Sequence, residues 1–156
     1  MTSWKGRAAA ALQFKQNEHE VFRQLWRQAA GDLSRDIFRE LTEAVRTQVS
    51  RLRQLAEPEP AELEEETAHA LRQLIEQAEA ARGEAEAVRF GLELKRRACE
   101  FYTELAQAAD NAFERLFYRG LADEERQSLL CLLECQEYLS DPPAYFILKE
   151  HATLEG

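Results

Sequence analysis

Residues 14–55 align with residues 94–135 without a gap when the chain is slid along itself by 80 positions, and nine residues coincide. They are Lys15/Lys95, Glu20/Glu100, Leu25/Leu105, Ala29/Ala109, Arg35/Arg115, Arg39/Arg119, Leu41/Leu121, Arg46/Arg126 and Leu52/Leu132. Related pairs extend the match through Val21/Phe101, Phe22/Tyr102, Ile37/Phe117 and Phe38/Tyr118. Amphipathic hairpins in general share a leucine and arginine rhythm. An unbroken register through two helices and the turn between them nevertheless favours a true repeat. A chain built this way has the same kind of apolar face to bury twice, and two such hairpins can bury it against each other.

The hairpins can be read residue by residue. Apolar residues recur at helical spacing from about Ala8 to Ala30, and Gly31-Asp32 offers a C-terminal glycine followed by an N-capping acid. The second helix carries Leu33, Ile37, Leu41, Val45, Leu52 and Leu55 on one stripe, until Glu57-Pro58-Glu59-Pro60 ends it. A connector, 56–83, is acidic at Glu62 to Glu66, helical through Leu71, Leu74 and Ala78, and closes at Gly83. A third helix spans about Glu84 to Ala109. The fourth opens at Asp110-Asn111, with Glu114 as a capping-box partner for Asn111, and ends near Ser140. The expected fold is all-α: a four-helix bundle over residues 1–140, with hairpins 8–55 and 84–140 joined by one long crossover. The tail, 141–156, is aromatic at Tyr145-Phe146 and is expected to pack back on the bundle.

Charge and cysteine usage exclude several classes. With 24 Glu, 16 Arg, 4 Lys and a net charge of -9, every arginine-rich stretch is interleaved with glutamate. That argues against nucleic acid, which needs a concentrated basic face, and against an anionic membrane surface. No run of about 18 apolar residues exists to span a bilayer, and the alanine-rich start is interrupted by Lys15. A cytoplasmic protein is expected. Cys99, Cys131 and Cys135 form neither a disulfide framework nor a C-x-x-C motif.

The core-facing stripes are not uniformly apolar. They read Lys15, Glu18, Phe22, Leu25, Ala29 in the first helix and Leu33, Ile37, Leu41, Val45, Gln48, Leu52 in the second. The third gives Lys95, Ala98, Tyr102, Leu105, Ala109, and the fourth Phe113, Phe117, Leu121, Glu125, Ser128, Leu132. In antiparallel hairpins Lys15 and Lys95 fall near the level of Val45, Gln48, Glu125 and Ser128, so the polar residues gather in one layer. A buried charge must be paired. The other reading places these side chains at the helix flanks with their heads in water.

The stretch Ala87-Val88-Arg89-Phe90-Gly91-Leu92-Glu93, then Cys99-Glu100-Phe101-Tyr102-Thr103-Glu104-Leu105-Ala106, Leu116-Phe117, Leu121-Ala122-Asp123-Glu124-Glu125-Arg126 and Tyr138-Leu139 resembles the rubrerythrin-type branch of the ferritin-like superfamily. The likeness covers nearly the whole chain and is clearer in the second half. It implies a ferritin-like bundle in which each half supplies a glutamate from its first helix and a Glu-x-x-His from its second, holding two metal ions. By that resemblance the ligand positions are Lys15, Val45 and Gln48 in the first half, and Lys95, Glu125 and Ser128 in the second. Only Glu125 is a ligand of the expected type.

Two ammonium groups where carboxylates belong repel a metal ion. The resemblance therefore implies a degenerate di-iron site with no metal and no other cofactor expected, and buried ion pairs among Lys15, Glu18, Lys95 and Glu125 in its place. The expected role is a non-catalytic structural or interaction module, with a protein partner or a second copy as a homodimer. The apolar run from Leu129 to Cys135 on the fourth helix offers surface for it. The competing expectation is an oxidoreductase, of peroxidase or ferroxidase type, with a reduced or atypical iron site near Glu125 and Glu18; a bundle unrelated to ferritins is a third. His19, His69 and His151 are scattered and coincide with no ligand position. Asp123, Glu124 and Glu125 could hold a labile cation, though adjacent acids usually form a solvated face.

Overall fold

The computed structural model describes residues 3–55 and 65–140, without the Thr67 side chain. Five helices follow in order: α1 (Trp4–Arg27), α2 (Asp32–Leu55), α3 (Glu65–Ala80), α4 (Gly83–Ala108) and α5 (Ala112–Ser140). The loops between α1 and α2 and between α4 and α5 are too short to cross the molecule, so each pair packs as an antiparallel hairpin. Helix α3 lies against α1 and α4 and carries the chain from one hairpin to the other. The result is an all-α, four-helix-bundle-like topology of two contacting hairpins with a linking helix. Readings for Glu57 to Glu64 and for the tail 141–156 lie outside the described residues.

Aromatic side chains join the halves. Phe14 of α1 stacks on Phe101 of α4 at 4.4 Å between centroids and meets Tyr102 edge-on at 5.7 Å. Within the first hairpin Phe22 packs against Phe38 at 6.4 Å. Around them Leu25, Val45, Leu52, Val88, Leu94, Leu105 and Leu132 are fully or almost fully buried.

Several helix ends depart from the sequence reading. Helix α1 starts at Trp4 rather than Ala8, because the Ser3 hydroxyl accepts the Gly6 N–H at 3.0 Å and caps an earlier turn. It stops at Arg27, short of Ala30, where the Gln28 N–H closes the last turn on the Gln24 carbonyl. Gly31 is not a left-handed cap; among the described glycines only Gly83, opening α4, has a positive φ, 76°. What Gly31 provides is room. A Cβ there would sit 1.9 Å from Glu84 Oε1, and the Ser34 hydroxyl donates to that oxygen at 2.8 Å. The α4 carboxylate thus rests against the first turn of α2. Asp32 is the first residue of α2 rather than its cap.

Three residues assigned to the apolar stripes are not in the core. Leu33 is 37% exposed, Leu55, in the last turn of α2, is 38% exposed and Phe113 is 73% exposed. At the start of α5 the inward face is instead Glu114 and Tyr118, both buried, with Phe117 half-buried. An ion pair between Glu114 and Arg7 of α1 sets that rotation.

Candidate functional site

Lys15 and Glu18 stand one turn apart on α1, Lys95 projects from α4 and Glu125 from α5. All four lie in the core, each at most 1% exposed. They form a closed ring. Lys95 Nζ donates to Glu18 Oε2 at 3.0 Å and to Glu125 Oε2 at 2.9 Å. Lys15 Nζ donates to Glu125 Oε1 and lies 3.1 Å from Glu18 Oε1. Each carboxylate therefore faces both ammonium groups with a different oxygen. The Lys15–Glu18 contact is the weakest edge, since Glu18 Oε1 accepts no well-directed hydrogen bond.

The ring inherits the pseudo-symmetry of the repeat only in part. Lys15 Nζ sits 4.9 Å from the centroid of Tyr102, and Lys95 Nζ sits 4.9 Å from that of Phe22. Phe22 and Tyr102 occupy equivalent places in the repeat, so each lysine lies over the aromatic ring of the opposite half. The carboxylates break the symmetry, because Glu18 corresponds to Ala98 and Glu125 to Val45. One charge-balanced ring thus ties α1 to both helices of the second hairpin.

Its electrostatics are uneven. Burial raises the Glu125 carboxyl, but Lys95 and Lys15 outweigh that and draw it down to about 2. Burial and the charge of Glu125 together push Glu18 up, against the pull of both lysines. Burial would lower the Lys95 ammonium, yet Glu125 and Glu18 overcome it and hold the group above its ordinary value. Tyr102 is driven well above the ordinary phenol value by burial, then by Glu18 and Glu125.

The remaining positions of the layer sit outside the ring. Val45 is buried among apolar neighbours. Gln48 is buried and donates to Glu124 Oε2 at 2.6 Å, while Arg51 holds both oxygens of Glu124. Ser128 is half-buried in the groove between α2 and α5. Asp123, Glu124 and Glu125 turn to three different places: Arg126, the Gln48–Arg51 pair and the lysine ring. Among the described residues no three of His, Cys, Asp and Glu form a group that could hold a metal ion. Cys135 is pushed up to about 11 by burial and by Glu84.

A second buried charge escaped the sequence reading. Arg7, 2% exposed, donates from Nε and Nη2 to Glu114, the latter at 3.0 Å, and from Nη2 to Asp110 at 2.8 Å. The Asp110 N–H also donates to Glu114 at 3.0 Å. The Asn111 side chain accepts the Glu114 N–H at 2.9 Å, which is half of a capping box; the Glu114 carboxylate turns instead to Arg7 and to the Asp110 N–H. This pair draws Glu114 inward and leaves Phe113 outside. The signal lay in the spacing of Arg7, Ala11, Phe14 and Glu18, which continues the core stripe back into the alanine run.

The ion pairs predict an acid-sensitive fold. Glu114 is lowered, mainly by its hydrogen bonds from Arg7, in the same direction as Glu125. A depressed carboxylate stabilises the fold fully above its unfolded value, near 4.5, and loses that contribution as the pH falls. Raised Glu18 acts oppositely, favouring the fold below 4.5 and losing that contribution as pH rises through its folded value. With two depressed groups against one raised, urea unfolding at fixed ionic strength should show stability falling from about pH 4.5 toward 2. A flat or rising profile would contradict this account.

No protein-family model, curated protein sequence or solved structure matches the chain. Within the described residues, no helix is long and apolar enough to cross a membrane.

Proposed function

We propose that this chain is a ferritin-like bundle of the rubrerythrin type in which a charge-balanced lysine–glutamate ring has taken the place of a di-iron centre. It acts as a non-catalytic structural or interaction module. The observation that carries this reading is the pair Lys15 and Lys95: repeat-equivalent residues, both buried, whose ammonium groups share the same two carboxylates, Glu18 and Glu125.

An iron pair is a poor fit for that donor set. Glu18 and Glu125 already bridge two cations, the neighbouring Gln48 and Ser128 are neutral, and an ammonium binds no metal and repels one. An interaction role draws support from the other end of the bundle. Trp4, Leu55 and Phe113 line an apolar cleft of about 300 Å³, and Trp4 and Phe113 are 48% and 73% exposed. On the α5 run from Leu129 to Cys135, by contrast, Leu132 and Cys135 are buried, leaving Leu130 as its one large exposed apolar residue.

The test is metal content. Protein purified from iron-supplemented cells should carry no stoichiometric iron and no absorbance from an oxo-bridged pair. A bound iron pair would overturn the proposal and favour an oxidoreductase of peroxidase or ferroxidase type.

A further inference from the structure

The two hairpins handle one pair of repeated arginines differently. In the first, Arg35 lies 3.2 Å from Asp32 and Arg39 lies 3.7 Å from Asp36, each aspartate three residues earlier on α2. The second hairpin keeps both arginines as Arg115 and Arg119 and replaces both aspartates, by Ala112 and Leu116. Among the described residues neither Arg115 nor Arg119 makes an ion pair.

Both arginines line a cleft of about 500 Å³ between α4 and α5, together with Thr103, Gln107, Asp123 and Arg126. Arg126 is paired with Asp123 at 3.3 Å, so the cleft holds three guanidinium groups against one carboxylate. On a chain of net charge -9 this is a local reversal of sign. The glutamate next to Arg115, Glu114, does not offset it, because it is committed to Arg7.

We propose that this cleft binds a small soluble molecule carrying a phosphate group, with the phosphate held between Arg115 and Arg119. Residues four apart on a helix are neighbours on one face, so both guanidinium forks can reach one oxyanion. A phosphate near its dianionic form also matches the excess of two positive charges in the cleft. Gln107 offers a further donor. Thr103 donates its hydroxyl proton to the Cys99 carbonyl at 2.7 Å and keeps its oxygen free to accept from the rest of the ligand. The volume lies in the range that encloses a small molecule.

The experiment is an NMR titration of the full chain with inorganic phosphate and with pyrophosphate at constant ionic strength, following the arginine Nε–H signals. Saturable shifts are expected at Arg115 and Arg119. The Arg115→Gln/Arg119→Gln variant should bind at least about tenfold more weakly, the loss of a charge-assisted contact. Ala112→Asp/Leu116→Asp restores the aspartates of the first hairpin and should weaken binding similarly while the thermal melt is retained. Shifts that sodium chloride reproduces, or affinity undiminished in both variants, would overturn the proposal. So would binding to vesicles containing phosphatidic acid with none to the soluble anions, which would place the phosphate on a lipid.

Discussion

Replacing Lys95 by methionine will lower the melting temperature by roughly 10 °C, the consequence of losing about 3–5 kcal/mol when one partner of a buried pair is removed from a domain of this size. The reason is charge balance. Lys95 bonds to both Glu18 and Glu125, and without it two carboxylates share the single ammonium of Lys15 in a site closed to water. The Lys95→Met/Glu18→Gln double variant restores neutrality and should recover much of the loss. Glu18 is the carboxyl to neutralise, because burial and the charge of Glu125 push it up, whereas the two lysines draw Glu125 down. Replacing all four residues by apolar ones of similar volume should be neutral or stabilising, since paired buried charges rarely outweigh their desolvation cost. Differential scanning calorimetry and NMR titration of Glu125 check these steps. An unchanged melting temperature in Lys95→Met, with Glu125 titrating as before, would refute the ring as an energetic unit.

These numbers bear on what the ring does for the fold. An apolar layer would pack α1 against α4 and α5 in many rotations, while the ring accepts one. Lys15 must face Glu125 as Lys95 faces both acids, and a shift of one residue on any of these helices leaves a buried charge alone. The ring thus serves register more than stability, a hypothesis that the apolar quadruple variant tests: its amide spectrum should broaden even where its melting point is kept.

Much of this was legible in the chain. The helices follow from 3.6-residue spacing, and the hairpin pairing follows from short loops and the repeat. The level at which Lys15, Glu18, Lys95 and Glu125 sit also follows from counting residues from each turn. Which oxygen meets which nitrogen does not, because spacing along a helix carries no information about rotation between hairpins. Phe113 shows the limit. Periodicity in α5 alone puts it on the core stripe, but an arginine 107 positions away fixes Glu114 in that place instead. Gly31 shows another: its role is set by the Glu84 carboxylate, which no local turn signal reports.

That long-range contact leads to the second large effect. Arg7→Met should destabilise the fold by about 2–3 kcal/mol, the scale of hydrogen bonds to charged groups in a largely buried site. It removes both bonds to Glu114 and the bond to Asp110. The loss should be smaller than for Lys95, for two reasons. Glu114 keeps the Asp110 N–H and lies in the first turn of α5, where the helix dipole favours its charge. Asp110 is also exposed, so water can replace what it loses. Lysine should not rescue the site, since one ammonium cannot reproduce the fork that spans the two acids. Hydrogen exchange locates the damage. Amides at the start of α5, from Arg115 to Tyr118, should lose protection first, while those flanking Lys95 in α4 should change only with global stability. Equal loss along both helices would mean that Arg7 supports the bundle as a whole and does not set the rotation of α5.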